Sequence, residues 1–285
     1  MEEYLQPVLH YLLGVTLTTL EQLLFLFVPF LLLALIMHFA ARASEQLSVA
    51  LMGVKPYLLL FGWLGTAMHE LGHALFALLF GHKITDMRLF SPNPKSGSLG
   101  YVSHTWNHKN LYHIVGNFFI GIGPIIMGCI VLYLLATLLF SISIPDMPLQ
   151  LIKQGGTLSF DGIWRFITEI FTLIWQFFVR LFTGTHASWW KILIFLYLTF
   201  TIGSSVTLSP ADIKTALRGF LVMLLLVFLF NLSTFWLGNF ALNAISKVPY
   251  YVSWLYFLLL LAILLNLGFS LVLWVAWKLR EEIGT

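Results

Sequence analysis

The 285-residue chain is 59% hydrophobic and only 9% charged, with a formal net charge of +3 and a mean hydropathy of +0.91. A soluble domain carries about 25% charged residues, so a water-solvated globule is excluded and an integral, multi-pass membrane protein is expected. The small, scattered positive charge gives no footprint for nucleic acid. Cys129, the sole cysteine, excludes an internal disulfide and a thiolate metal cluster, so His, Asp and Glu are left to hold any metal.

The N-terminal MEEYLQPVLH lacks the basic region of a secretory signal, so no cleavage is expected. A spanning helix needs about 20 mostly apolar residues. Six stretches meet that rule: Leu20–Ala40, Pro56–Phe80, Leu111–Phe140, Trp189–Val206, Thr215–Leu237 and Val252–Trp277. The apolar stretch Gly162–Phe182 carries Arg165, Glu169, Gln176 and Arg180 on roughly one helical face, which predicts an interfacial amphipathic helix. Between these runs lie a polar, turn-rich connection over Gly81–Asn110, an exposed linker over Ser141–Asp161, and the break GSSVTLSP over Gly203–Pro210. Unwound backbone at membrane depth is tolerated only where it is buried in protein or lines a cavity, so the last break marks a place of interest. Lys83–Leu89 and Leu99–Ser103 read as two short strands joined by SPNPKSGS. Gly116, Gly121, Gly123 and Gly128 predict close helix packing along the third span.

The expected fold is therefore an all-α polytopic membrane protein of about six transmembrane helices, with a short membrane-associated β-hairpin. It reads as a single membrane domain over 1–285: a core at about 56–217, extra helices in 1–55 and 218–285, and a linker with the interfacial helix over 141–188. The basic residues divide almost evenly between the two sides, so the positive-inside rule assigns no orientation.

Within the second span, TAMHELGHALFALLFGH places His69, Glu70 and His73 in a lipid-compatible helix. Ionisable groups inside a membrane mark function by default. Residues four apart share a helical face, so His69 and His73 aim at one point with Glu70 beside them. This is the HExxH pattern, in which two neutral imidazoles hold Zn²⁺ and the glutamate handles the protons of a water.

A catalytic zinc site takes three protein ligands. His82 is nine residues beyond His73, about 13.5 Å along a straight helix, and cannot join without a break. Asp86 is close in sequence, Glu169 lies on the interfacial stretch, and His104, His108 and His113 cluster near a helix start. Asp212 is the strongest candidate, because it follows the GSSVTLSP break and opens an apolar helix. Ser209-Pro210-Ala211-Asp212 also fits a capped helix start that needs no metal; a carboxylate has two oxygens, so both roles can coexist.

Four matches in chain order make the region Pro56–Leu217 resemble the site-2 protease family of intramembrane zinc metalloproteases. They are His69-Glu70-Leu71-Gly72-His73; Gly81-His82-Lys83-Ile84 followed by Gly100-Tyr101-Val102; Gly123-Pro124; and Pro210-Ala211-Asp212. The resemblance implies a zinc held by His69, His73 and Asp212, with Glu70 as general base. It also implies a transmembrane protein or peptide substrate in the lipid bilayer, bound along Gly100, Tyr101 and Val102 by strand addition. The chain departs from the family pattern at Ile122, Met127, Ser204 and Ile213; Ser204 aligns with a family Asn, and Ser204 or Ser205 is expected to hold the substrate backbone. Two rival readings keep the membrane fold: a catalytically silent binding or assembly protein, and a prenyl-protein-processing type of zinc protease whose third ligand would be Glu169.

Overall fold

The computed structural model of the chain describes residues 2–92, 99–145, 153–154, 157–158, 160–205, 207–237 and 247–284. Part of the linker and most of the SPNPKSGS turn lie outside them. The helices, in order, are α1 (Glu2–Met52), α2 (Val54–Tyr57), a π-helical turn (Leu58–Gly62), α3 (Trp63–Leu79), α4 (Leu111–Phe140), α5 (Phe160–Thr183), α6 (Trp189–Gly203), α7 (Pro210–Thr234), α8 (Val248–Tyr251) and α9 (Ser253–Gly284). Strands β1 (Lys83–Arg88) and β2 (Tyr101–Thr105) pair antiparallel, with a register shift between Ile84 and Asp86. A second two-strand pair joins Lys153–Gln154 to Thr157–Leu158. Among the described residues, five helices are long and apolar enough to cross a membrane, and the protein is an integral, multi-pass membrane protein.

The first span is much longer than the expected Leu20–Ala40. α1 continues through Glu21, His38, Arg42 and Glu45 because its buried residues recur in steps of three and four: Phe30, Ala34, Met37, Ala41, Ser44 and Ser48. That spacing makes a narrow seam of the coiled-coil kind. The seam packs on α9, where Ser44 Oγ lies 2.6 Å from Ser270 Oγ and donates to the Asn266 carbonyl at 3.2 Å.

α4 is the centre of the site-bearing half, packed against α3 on one side and α7 on the other. Its apolar run follows Asn110, whose side chain accepts from the Tyr112 N–H at 3.0 Å as an N-cap. Small residues set both crossings. A Cβ on Gly72 of α3 would lie 2.7 Å from Pro124 Cα and 2.8 Å from the Gly123 oxygen. One on Gly121 would lie 2.7 Å from the Asp212 carbonyl. Gly219, two turns beyond Asp212, meets the Phe118 nitrogen and, at 2.7 Å, the Ile114 oxygen. Both are backbone atoms that cannot turn aside. Gly219→Ala is therefore expected to force α7 from α4 and to destabilise the fold by about 1–3 kcal/mol, the usual cost of overpacking, read as a lower thermal midpoint in detergent.

α5 covers the predicted interfacial stretch as one 24-residue helix. Phe177 and Leu181 are buried in the core while Trp164, Phe171, Trp175 and Phe182 stay exposed. Its length and hydropathy also qualify it as a span, so it is among the five although its polar spacing pointed to the interface.

Candidate metal centre

α3 brings His69 and His73 to one face and then stops at a defined point. Gly81 takes φ +71°, the left-handed conformation that glycine adopts without a Cβ penalty. The Gly81 and His82 N–H groups close on the carbonyls of Leu78 (3.0 Å) and Ala77 (2.8 Å), the paired bonds of a Schellman ending. The chain then leaves directly into β1, as the Gly81–His82 boundary predicted.

Each histidine is oriented by a backbone carbonyl that an interrupted helix leaves without its usual donor. His73 Nδ1 lies 2.8 Å from the Ile120 oxygen. In an α-helix that oxygen would accept from residue 124, but residue 124 is proline and has no N–H. His69 Nδ1 lies 2.8 Å from the Ser205 oxygen, just past the end of α6, where carbonyls lose their intrahelical partners. A carbonyl only accepts, so both rings carry their proton on Nδ1 and present an Nε2 lone pair. The close Gly72–Pro124 crossing brings His73 within reach of Ile120.

Asp212 arrives from the start of α7. Its Oδ2 accepts from the Ser209 N–H at 2.8 Å, and its own N–H donates to Ser209 Oγ at 3.2 Å. This reciprocal cap leaves Oδ1 facing His73 Nε2 at 3.2 Å, while Oδ2 lies 3.7 Å from His69 Nε2. Capping and convergence coexist on one carboxylate. The two Nε2 atoms are 3.1 Å apart, yet with both protons on Nδ1 neither can donate to the other. In these neutral tautomers two lone pairs and a carboxylate oxygen meet with no hydrogen between them, an arrangement that suits a cation. His69, His73 and Asp212 form a group able to hold a metal ion, with ligand atoms all within 4.8 Å of one another. Ligand bonds of 2.0–2.2 Å in a tetrahedral site put donor atoms about 3.3 Å apart, so the set fits Zn²⁺.

Glu70 is 7% exposed and lines the same cavity of about 470 Å³ as His69, His73 and Asp212. Gly100, Tyr101 and Val102 form another wall of it. A Cβ on Gly100 would lie 2.8 Å from Glu70 Cγ and 2.9 Å from the carbonyls of Arg88 and Leu89, so the hairpin approaches the glutamate only because this residue has no side chain. The Tyr101 hydroxyl donates instead to Asp86 at 2.6 Å, on the exposed side of the hairpin. That bond holds the Asp86 carboxyl below, and the Tyr101 hydroxyl above, their ordinary values.

Ser204 and Ser205 line a second cavity of about 330 Å³ that also touches His69 and Glu70. Their hydroxyls point back to the Thr201 carbonyl, at 3.0 and 3.4 Å. The contact Ser205 makes with the centre is through its carbonyl. The other third-ligand candidates stay outside the group: Asp86 and Glu169 are exposed, and His82, His104 and His113 form a cluster of their own. Sequence reasoning missed the two carbonyl partners. The signal for one of them was Pro124, four residues after Ile120. Pro124→Ala would return an N–H that competes for the Ile120 oxygen; loss of such an outer contact costs about 10–100-fold in metal affinity, and a competition titration with a chelating indicator is expected to show it.

Fold and site together define a polytopic membrane protein with a His–His–Asp group beside a buried glutamate. Residues 43–152, less than half of the chain, match the family model described as Peptidase M50B-like, and the match is a similarity over that segment. It takes in α3, the hairpin and α4, and stops short of Asp212. Neither the curated proteins nor the solved structures returned a match to the chain.

Proposed function

We propose that the protein is an intramembrane zinc endopeptidase that hydrolyses peptide bonds of transmembrane protein segments. The observation that carries this reading is the convergence of two Nε2 lone pairs and the Asp212 carboxylate in a cavity shared with Glu70. His69, His73 and Asp212 would hold the metal. Zinc, when bound, supplies Lewis acidity that makes water a usable nucleophile near neutral pH and polarises a carbonyl. Glu70 takes the proton of that water and delivers it to the leaving nitrogen. The carbonyls of Ile120 and Ser205 keep both imidazoles in the ligating tautomer throughout.

A transmembrane helix hides its peptide carbonyls in its own hydrogen bonds, so a substrate must unwind before it is cut. The β-hairpin, next to the cavity at Gly100–Val102, offers strand edges along which an extended segment pairs. The prenyl-protease alternative needs Glu169 as a ligand, and Glu169 is exposed on α5, whereas Asp212 is already in place. Metal analysis of the purified protein tests the reading: about one zinc per chain is expected, and a chain that takes up no zinc when offered it at neutral pH contradicts it.

A further inference from the structure

His82 and His104, which do not join the metal group, are ordered into a chain that runs from the His113 carbonyl to the metal cavity. His82 is 3% exposed and stacks on Trp106, with ring centroids 5.7 Å apart and planes at 15°. Its Nε2 lies 2.9 Å from the His113 carbonyl oxygen. That oxygen only accepts, so the proton of His82 sits on Nε2 and its Nδ1 bears a lone pair. His82 Nδ1 is in turn 3.0 Å from His104 Nδ1, so His104 must be the donor there. The His104 proton is thereby fixed on Nδ1 and its Nε2 lone pair is left over. Among the described residues no hydrogen bond reaches that nitrogen. Burial and the neighbouring His82 and His73 also push the His104 pKa below its ordinary value of 6.5, which favours the neutral ring.

His104 lines the metal cavity. Side chains alternate along a strand, so Val102 and His104 share one side of β2, and both belong to the cavity wall together with Gly100, which precedes the strand. Gly100 is the end next to Glu70. His104, four residues on, lies about 13 Å further along an extended strand than Gly100, on the stretch of cavity wall that neighbours His73, where it faces a bound peptide beside the reacting bond.

We propose that His104 is a specificity-determining residue whose Nε2 accepts a hydrogen bond from an N–H or O–H donor of the peptide substrate, and that His82 is the positioning residue that fixes its tautomer. The inference rests on the protease reading above. The substrate class it names is a membrane segment with a Ser, Thr, Asn or Gln a few residues from the scissile bond. An apolar isostere would leave the acceptor desolvated and unpaired, which costs 1–3 kcal/mol and corresponds to discrimination on the order of tenfold to hundredfold.

The test uses full-length protein carrying Glu70→Gln, which should bind peptide without turnover. A transmembrane peptide is scanned by single valine-to-threonine replacements, and its affinity is measured in detergent. One position is expected at which threonine tightens binding at least tenfold. That gain should vanish with His104→Phe, shrink with His82→Phe, and return in part with His104→Gln, whose amide oxygen restores an acceptor. Nitrogen-15 spectra of labelled histidine should show His104 protonated on Nδ1, and in the His82→Phe protein that preference should be lost. If peptides bind but no position shows the gain, or the gain persists with His104→Phe, the inference falls and the protease reading stands. If no transmembrane peptide binds at all, both fall together.

Discussion

Glu70→Gln is expected to leave zinc bound and to stop peptide hydrolysis. The glutamine keeps the size of the side chain, which matters because Glu70 Cγ sits against Gly100 and the carbonyls of Arg88 and Leu89 crowd the same point. The metal group of His69, His73 and Asp212 does not include residue 70, so zinc content should match wild type. An amide cannot take the proton of a water, and a positioned general base contributes about 10²–10⁴-fold. Turnover should fall by at least that range, measured as product formed per molecule of zinc-loaded enzyme. A binding or assembly protein of the same fold would be indifferent to this change, so the variant also separates the catalytic reading from the silent one.

Asp212→Ala removes two things at once, and the two separate cleanly. Loss of Oδ1 takes away the third donor beside His73, and zinc content should drop to well below one per chain. Loss of Oδ2 removes the cap on the Ser209 N–H, which costs about 0.5–2 kcal/mol at a helix start. Asp212→Asn distinguishes them. Its amide oxygen can still accept from Ser209, so α7 should keep most of its stability, while the neutral side chain is a poorer metal ligand. The expected result is a near-normal thermal midpoint of the metal-free protein together with weakened zinc retention in dialysis against a chelator. If Asp212→Ala retains stoichiometric zinc, Asp212 is not the third ligand.

The parts of this molecule that were legible in its sequence are those with local causes. The bounds Leu111–Phe140 of α4 follow from a cap residue and a long, predominantly apolar run. The hairpin was visible from alternation and turn residues, with its second strand two residues later than expected. Asp212 was visible because a carboxylate after a break in a membrane helix is costly without a reason. α1 was underestimated because hydropathy dips at its charged residues, whereas its C-terminal extent is set by a seam of buried side chains matched to α9. The carbonyls of Ile120 and Ser205 were illegible for a different reason: backbone atoms leave no residue-type signature, and only the tertiary crossing shows which ring they orient. The Ser204 and Ser205 hydroxyls donate to the Thr201 carbonyl within α6, a local bond that the sequence did not show and that leaves their oxygens able to accept. His104 was one of a histidine cluster near a helix start in sequence; only the fold shows that it borders the cavity of the His–His–Asp group.

The central claim, that this centre cuts peptide bonds inside a membrane, is tested most directly by cleavage in a defined system. Purified wild-type and Glu70→Gln proteins, both zinc-loaded, are reconstituted into lipid vesicles with a panel of single-span transmembrane substrates, and the products are identified by mass spectrometry. The account predicts discrete cuts within the membrane-embedded segment by the wild-type protein, abolished by chelation, restored by zinc and absent with Glu70→Gln. Cleavage that proceeds equally with Glu70→Gln, or stoichiometric zinc in a wild-type protein that cuts no member of the panel, would contradict it.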